Sequence, residues 1–259
     1  MKKLGLALGA GGSRGVAHIG FLKALEEANI PIDYIVGSSM GSVVGGAYAA
    51  GVSLDTMRDA VFNLRLLDLI TPAKQKGGVF GNSKMRSQIV KYIGEVTFEE
   101  LKLPFHCVAV DMVEQEVVEF SKGSLVDAIV ASSSIPAVFP PVVQGDRRLI
   151  DGGVLERVPA MRVKKMGADV VVAVDVLGWR NASEKVPGPL GVSFETFDIM
   201  DNHRTQAYYH KHKKNIDFWL EPDLGDMSQY SLKQIKEAYE KGYELGKANV
   251  AAIQKALED

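Results

Sequence analysis

The chain carries Gly37-Ser38-Ser39-Met40-Gly41, a G-x-S-x-G pentapeptide set between an apolar run (Ile32, Tyr34, Ile35, Val36) and a small-residue stretch from Ser42 to Ala50. That order predicts strand, sharp turn and helix, a geometry that lifts a serine hydroxyl out of a sheet and presents it to a ligand. The flanking glycines suit such a turn because a Cβ would obstruct its close backbone approach. Placed this way, Ser39 is a candidate nucleophile for acyl transfer, provided that a base and an oxyanion site lie beside it. The pentapeptide alone has little specificity. Its partners must be found elsewhere in the chain.

A second glycine cluster, Gly9-Ala10-Gly11-Gly12-Ser13-Arg14-Gly15, follows the first apolar run and opens the first long helical segment. The dinucleotide-binding pattern G-x-G-x-x-G fails here, because its third glycine falls on Arg14 when counted from Gly9. Gly246-Lys247 is followed by alanine inside a helical segment, so there is no Walker loop either. What remains is a strand-to-helix turn with backbone N–H groups beside a helix N-terminus, a place that favours an anion. Next to a nucleophilic serine, that anion is the oxyanion of an attacked acyl carbonyl. Gly11 and Gly12 are the expected donors, with Arg14 adding positive charge or bracing the loop.

The usual order for this elbow is serine, acid, histidine. Of the five histidines, His18 and His106 fall in the first helix and in a strand, ahead of any acid past the elbow. His203, His210 and His212 lie among lysines on a long polar helix, where solvated histidines are common. None sits in a short loop after a strand. The better base is Asp151, in Leu149-Ile150-Asp151-Gly152-Gly153-Val154, which ends a short strand ahead of two glycines. A carboxylate takes a serine proton directly when burial raises its pKa and geometry holds it within hydrogen-bond reach. Asp175 is the rival acid and Asp111 a weaker third; no glycine pair follows Asp175, which suits a loop-capping role. Two other readings stand beside this one: a Ser-Asp-His triad esterase, and a non-catalytic lipid-binding or regulatory domain.

The elements that must position these groups alternate along the chain. Strand-length apolar runs occur at 3–9, 33–38, 105–112, 116–120, 148–151, 169–176 and 215–220. Helix-period segments occur at 15–28, 41–50, 54–67, 83–93, 124–133, 159–166, 192–213 and 231–257. Several strands are apolar throughout, as expected where helices cover both faces of a sheet. With no internal repeat, the pattern predicts one α/β domain over residues 1–259, a three-layer α/β/α fold with a mostly parallel central sheet. Two stretches break the regularity. Residues 178–191, with two prolines, read as a mobile loop, and residues 66–82 read as a surface connection or as a flap over an apolar pocket. The stripe Ile235, Ala238, Tyr239, Gly242, Leu245, Gly246, Val250 and Ile253 predicts a C-terminal helix packed on the sheet, or else a self-association face.

Composition excludes several classes. A chain of 259 residues with 46% hydrophobic and 24% charged content buries a substantial core, and a net charge of −2 leaves no electrostatic footprint for nucleic acid. The basic clusters at Arg147-Arg148, Lys164-Lys165 and 210–214 read as solvated faces. Cys107, the single cysteine, lies in an apolar strand, so no intrachain disulfide forms and a reducing cytoplasmic setting fits. Met1-Lys2-Lys3 followed by an apolar run mimics a secretory signal, but the run soon meets glycines and Arg14 and reads as the first strand. No run approaches the ~20 apolar residues of a membrane span, and no strongly basic amphipathic helix is evident. A soluble cytoplasmic protein is expected.

In combination the motifs become specific. Ala10-Gly11-Gly12-Ser13-Arg14-Gly15, Gly37-Ser38-Ser39-Met40-Gly41 and Asp151-Gly152-Gly153 occur in the order found in the patatin-like phospholipases. Residues 131–141, Ala-Ser-Ser-Ser-Ile-Pro-Ala-Val-Phe-Pro-Pro, are similar to that family's stretch ahead of its aspartate. The resemblance covers about residues 4–158 and, more loosely, the rest, and is to the compact bacterial members, which are bare catalytic domains. It implies an acyl hydrolase with a Ser-Asp dyad, no histidine, and no metal or other cofactor. Its substrates would be phospholipid, lysophospholipid or short-to-medium acyl esters, reached through transient contact with a membrane surface. By position, Ser39 would be the nucleophile, Asp151 the base, and Gly11, Gly12 and Arg14 the oxyanion loop. The chain departs from the family's glycine run at Ala10, which leaves Gly11 and Gly12 intact.

Overall fold

The strand runs that are apolar throughout turn out to have two faces of unequal bulk. In β1 (Leu4–Leu8), Leu4, Leu6 and Leu8 enter one core cluster, while Ala7 faces a second. In β9 (Val170–Val174), Val170, Val172 and Val174 join the first cluster, and Val171 and Ala173 the second. The bulky face is thus covered by several helices and the small face by a thinner layer. The structure, a computed structural model, describes residues 2–72, 77–179 and 188–259.

The other strands are β2 (Tyr34–Ser38), β3 (Thr71–Pro72), β4 (Phe80–Gly81), β5 (Phe105–Asp111), β6 (Glu116–Phe120), β7 (Val142–Gln144), β8 (Arg147–Asp151) and β10 (Phe218–Leu220). On the bulky face lie α1 (Ala17–Glu27), α2 (Met40–Ala49), α3 (Leu54–Phe62), α4 (Ser83–Ile93), α5 (Leu125–Ser132) and α8 (Ile235–Glu258). On the other face, α6 (Ala160–Lys165) packs through Ala160 and Val163, and α7 (Pro189–His212) adds Tyr208. Strands β10, β9, β1, β2 and β5 are parallel in that order, whereas β6, β7 and β8 pair antiparallel. The sheet is mostly parallel with helices on both sides, as expected. Among the described residues no helix is long and apolar enough to cross a membrane.

One detail of register decides where the chemistry sits. Gly37 and Ser38 of β2 pair with Cys107 and Val108 of β5, and Asp151 of β8 pairs with the next residue, Ala109. Strand β6 pairs with all of Cys107 to Asp111, so it occupies the opposite edge of β5. Strands β2 and β8 therefore share one edge of β5 and approach each other head to head. The turn leaving β2 and the carboxylate ending β8 must meet.

Several boundaries differ from expectation. The segment 15–28 begins as a 3₁₀ turn, Gly12–Val16, before α1, and the segment 54–67 stays helical only to Phe62. Helix α7 starts earlier, with Pro189 in its first turn, where a missing N–H costs nothing. The short strands β3, β4 and β7 were not anticipated. The stripe of α8 packs chiefly on α1 rather than on the sheet: a Cβ at Gly242 would lie 1.9 Å from the Ala17 carbonyl oxygen. In the stretch 66–82, Val79 and Phe80 donate N–H groups to Ala137 O and Val138 O at 3.0 and 2.9 Å, fixing that part onto the segment after α5. Residues 73–76 of it, and 180–187 of the expected loop 178–191, lie outside the described residues.

Candidate active site

Ser39 occupies the turn between β2 and α2 with φ 51° and ψ −120°, a backbone conformation costly for any residue other than glycine. Its neighbours hold it there. A Cβ on Gly41 would fall 2.0 Å from Leu8 O, and one on Gly37 would fall 2.4 Å from Gly41 O. The serine run that ends α5 completes the clamp. From that run Ser132 Oγ accepts the Ser39 N–H at 2.9 Å and Ser134 O accepts the Asp151 N–H at 3.0 Å, while Ser42 of α2 donates its Oγ to Ser39 O at 2.6 Å. One helix terminus thereby positions both the elbow and the acid.

Ser39 and Asp151 are both buried, and the Ser39 hydroxyl donates to Asp151 Oδ2 at 2.5 Å. Oδ1 accepts the Gly153 N–H at 2.8 Å. Burial pushes the Asp151 pKa up to about 7; its bonds from Ser39 and Gly153 oppose the rise, and the charge of Asp201 adds to it. A carboxyl with that pKa accepts a proton near neutrality, which ordinary carboxylates do poorly.

Ser39, Asp151, Gly11 and Gly12 line one cavity of about 300 Å³. The N–H groups of Gly9, Ala10, Ser13 and Arg14 donate to Val174 O, Arg157 O, Gln229 O and Gly11 O. Among the described residues no such acceptor is found for the N–H groups of Gly11 and Gly12. Arg14 does not line the cavity. Its buried guanidinium donates to Val176 O at 2.7 Å, Met227 O at 2.9 Å and Gly225 O at 3.1 Å. Of the two roles expected for it, bracing the loop is the one this geometry supports.

The rival acids are engaged elsewhere. Asp175 is buried against Arg157 Nη2 at 2.6 Å and accepts the Leu177 N–H; Asp111 accepts N–H groups of Val113 and Arg148. Neither is bonded to Ser39. The residues lining the cavity include no histidine. His18 donates to Gly9 O at 2.8 Å, and burial pushes its pKa down to about 4, so it is neutral. His106 pairs with Glu119, and His203 and His210 are exposed on α7. Described residues of the stretch 66–82 do not line the cavity, and no cluster of metal-binding side chains occurs among the described residues.

Helix α7 supplies what the motifs did not reveal. Phe194, Phe197 and Met200 line the cavity together with the apolar Ile135, Pro136 and Leu177. Arg204 donates to Gly153 O at 2.8 Å, to Val154 O and to Asp201, tying the helix to the loop that follows Asp151. Arg157 joins Asp175 and Asp201, reaching the latter at 2.9 Å. The only local signal was the Asp201/Arg204 spacing, which reads equally well as a helix-surface ion pair. The three serines at 132–134 belong to the motif at 131–141, and nothing local marks them as the clamp on Ser39 and Asp151.

A family model for patatin-like phospholipase matches residues 6–164. An uncharacterised NTE family protein of Mycobacterium tuberculosis is 38% identical over 179 residues, covering 68% of this chain and 49% of that protein. Lysophospholipase NTE1 of Coccidioides immitis is 37% identical over 184 residues, covering 68% of this chain and 12% of that protein. The matched region is therefore half or less of the length of these curated relatives. Two solved structures share the fold. VipD from Legionella pneumophila has a TM-score of 0.64 at 12% identity, covering 97% of this chain and 67% of that one. The type III effector ExoU has a TM-score of 0.52 at 15% identity, covering 99% and 54%.

Proposed function

The chain belongs to the patatin-like phospholipase family, and from that premise we propose that it is a serine hydrolase of lipid carboxylic esters working with a Ser39–Asp151 dyad. Asp151 accepts the Ser39 proton as Oγ attacks the ester carbonyl carbon, and the Gly11 and Gly12 N–H groups hold the oxyanion. The tetrahedral intermediate collapses, the alcohol leaves with the proton from Asp151, and an acyl-Ser39 ester remains. Asp151 then takes a proton from water, whose oxygen attacks the acyl carbon. The acid departs and Ser39 recovers its proton.

The single observation that carries this reading is the 2.5 Å bond from Ser39 to a buried carboxyl with a pKa of about 7, on the wall of a largely apolar cavity. That apolar lining suits an acyl chain. The relative named a lysophospholipase makes lysophospholipids the first substrate class to try, ahead of diacyl phospholipids and shorter esters. The deciding experiment is labelling with a fluorophosphonate probe, followed by peptide mass spectrometry. Modification at Ser39 that vanishes in Ser39→Ala supports the hydrolase. Folded protein that resists the probe favours a non-catalytic lipid-binding domain instead. Joint replacement of His203, His210 and His212 leaves ester hydrolysis intact in a dyad enzyme and abolishes it in a triad enzyme.

A further inference from the structure

Helix α7 turns its apolar side chains toward solvent. Val192, Phe197, Ile199 and Met200 are between 47% and 62% exposed, although a domain living only in water gains nothing from such a patch. The rest of the molecule holds the helix by other side chains, including Arg204 on Gly153 O, Tyr208 Oη accepting the Met161 N–H at 2.8 Å, and the Phe194–Tyr230 ring contact. Phe197 and Met200 also line the Ser39 cavity, as do the exposed Leu155 and Tyr230. The apolar wall of the site thus continues onto the outer surface.

Charge is arranged along the same helix. Positions 199, 200, 203, 207, 210 and 211 follow helical spacing on one side of α7, and all six are exposed. From Asn202 to Asn215 there is no acidic residue, while His203, His210, Lys211, Lys213 and Lys214 all reach solvent. The first half of α7 therefore turns apolar side chains outward beside the partly exposed Glu195 and Asp198, and the positive charge gathers at its far end, on Lys211 and on Lys213 and Lys214 in the 3₁₀ turn that follows. The 24 residues of α7 extend about 36 Å, long enough for both halves to lie on one flat surface.

We propose that the exposed face of α7 docks this protein on an anionic phospholipid surface, with Val192, Phe197, Ile199 and Met200 entering the interface and the lysines meeting lipid headgroups. A helix lying in the interfacial plane gains from buried apolar area and from attraction to anionic lipid together. The arrangement sets the mouth of the cavity against the surface that holds the substrate. That last point rests on the reading of the cavity as a lipid-ester site; the docking itself does not.

The test combines sedimentation with vesicles of phosphatidylcholine, with and without phosphatidylglycerol, and hydrolysis of a monomeric water-soluble p-nitrophenyl ester. Val192 and Ile199 do not line the cavity, so Val192→Gln with Ile199→Gln keeps the monomeric hydrolysis rate while lowering vesicle binding on the order of tenfold. Lys211→Gln with Lys214→Gln lowers binding to phosphatidylglycerol vesicles about fivefold per lysine and leaves phosphatidylcholine binding little changed. Wild-type protein that hydrolyses the monomeric ester yet sediments with neither vesicle overturns the proposal. So does binding that neither pair of substitutions alters, or a dimer in light scattering that Val192→Gln with Ile199→Gln dissolves while vesicles stay unbound. Vesicle binding that responds to both pairs without any ester hydrolysis supports the docking face and counts against the hydrolase reading alone.

Discussion

The Ser39 hydroxyl donates to Asp151 across 2.5 Å, although the two residues stand 112 positions apart in the chain. Their meeting follows from β2 and β8 ending head to head on consecutive residues of β5, Val108 and Ala109. Because Asp151 is buried and its pKa is pushed up to about 7, its protonation governs stability and, through its proposed role as base, turnover.

Activity should rise with pH. Below its pKa of about 7 Asp151 is protonated and cannot take the Ser39 proton; above it the carboxylate is ready. For an uncharged p-nitrophenyl ester, kcat/KM is expected to climb through about pH 7 and then level off. A midpoint near that of an ordinary carboxyl, about 4, would contradict the raised pKa of Asp151, whereas a pH profile unchanged in Asp151→Asn would remove it from the role of base.

Stability should move the other way. The folded-state pKa of about 7 lies above the ordinary aspartate value of 3.8, so the folded protein holds a proton that the unfolded chain has lost in that window. The contribution is complete below about pH 4, declines as pH rises and is gone above about pH 7. At about 1.4 kcal/mol per pKa unit the ceiling is about 4 kcal/mol. Asp151→Asn removes the buried ionisation and should resist urea better than the wild type at about pH 8, while losing about 10²–10⁴ in turnover. A variant less stable than wild type at that pH would contradict the sign.

Gly41 tests the elbow. A methyl group placed 2.0 Å from Leu8 O forces the turn away from β1. Gly41→Ala should lower unfolding free energy by about 1–3 kcal/mol or more and slow fluorophosphonate labelling of Ser39. Urea titration and labelling rate check the two effects separately.

Arg204 is a positioning residue, because it grips Gly153 O and Val154 O without reaching Ser39. Arg204→Met should cut kcat about 10-fold to 100-fold through misplacement of the Asp151 loop, with a smaller change in KM. It also leaves the Asp201 charge less compensated, and that charge raises the Asp151 pKa. The pH midpoint of kcat/KM should therefore move upward, and Arg204→Lys should bring back part of both effects. An unchanged midpoint together with an unchanged kcat would assign Arg204 to holding α7 alone.

Much of this molecule is written locally. The need for glycine at 37 and 41 arises from Gly41 and Ser42 a few residues away and from Leu8 in the adjoining strand, whereas in the turn after β1 a Cβ at Gly11 or Gly12 would meet Val176 or Gln229, far off in sequence. Alternating strand and helix periods reflect burial of faces within each element, so the three-layer architecture was legible. Asp151 stood out because it ends a strand before Gly152-Gly153. Pairings set by distant segments were not legible in the same way. Ser132 beneath the elbow, Ser134 on the acid and the Arg157–Asp201–Arg204 network depend on register between segments separated by tens of residues.

Helix α7 shows the division most clearly. Its residue pattern announces a helix, but which face turns inward depends on contacts with Gly153, Met161 and Tyr230, far off in sequence. Local sterics and periodicity are encoded by neighbours, so the residues alone determined the elbow, the acid candidate and the order of layers. Chain crossing and packing bring remote groups together, so only the tertiary structure decided that Asp151 rather than Asp175 meets Ser39. The same packing decided that Arg14 braces the loop, and that an apolar helix face stands open at the mouth of the site.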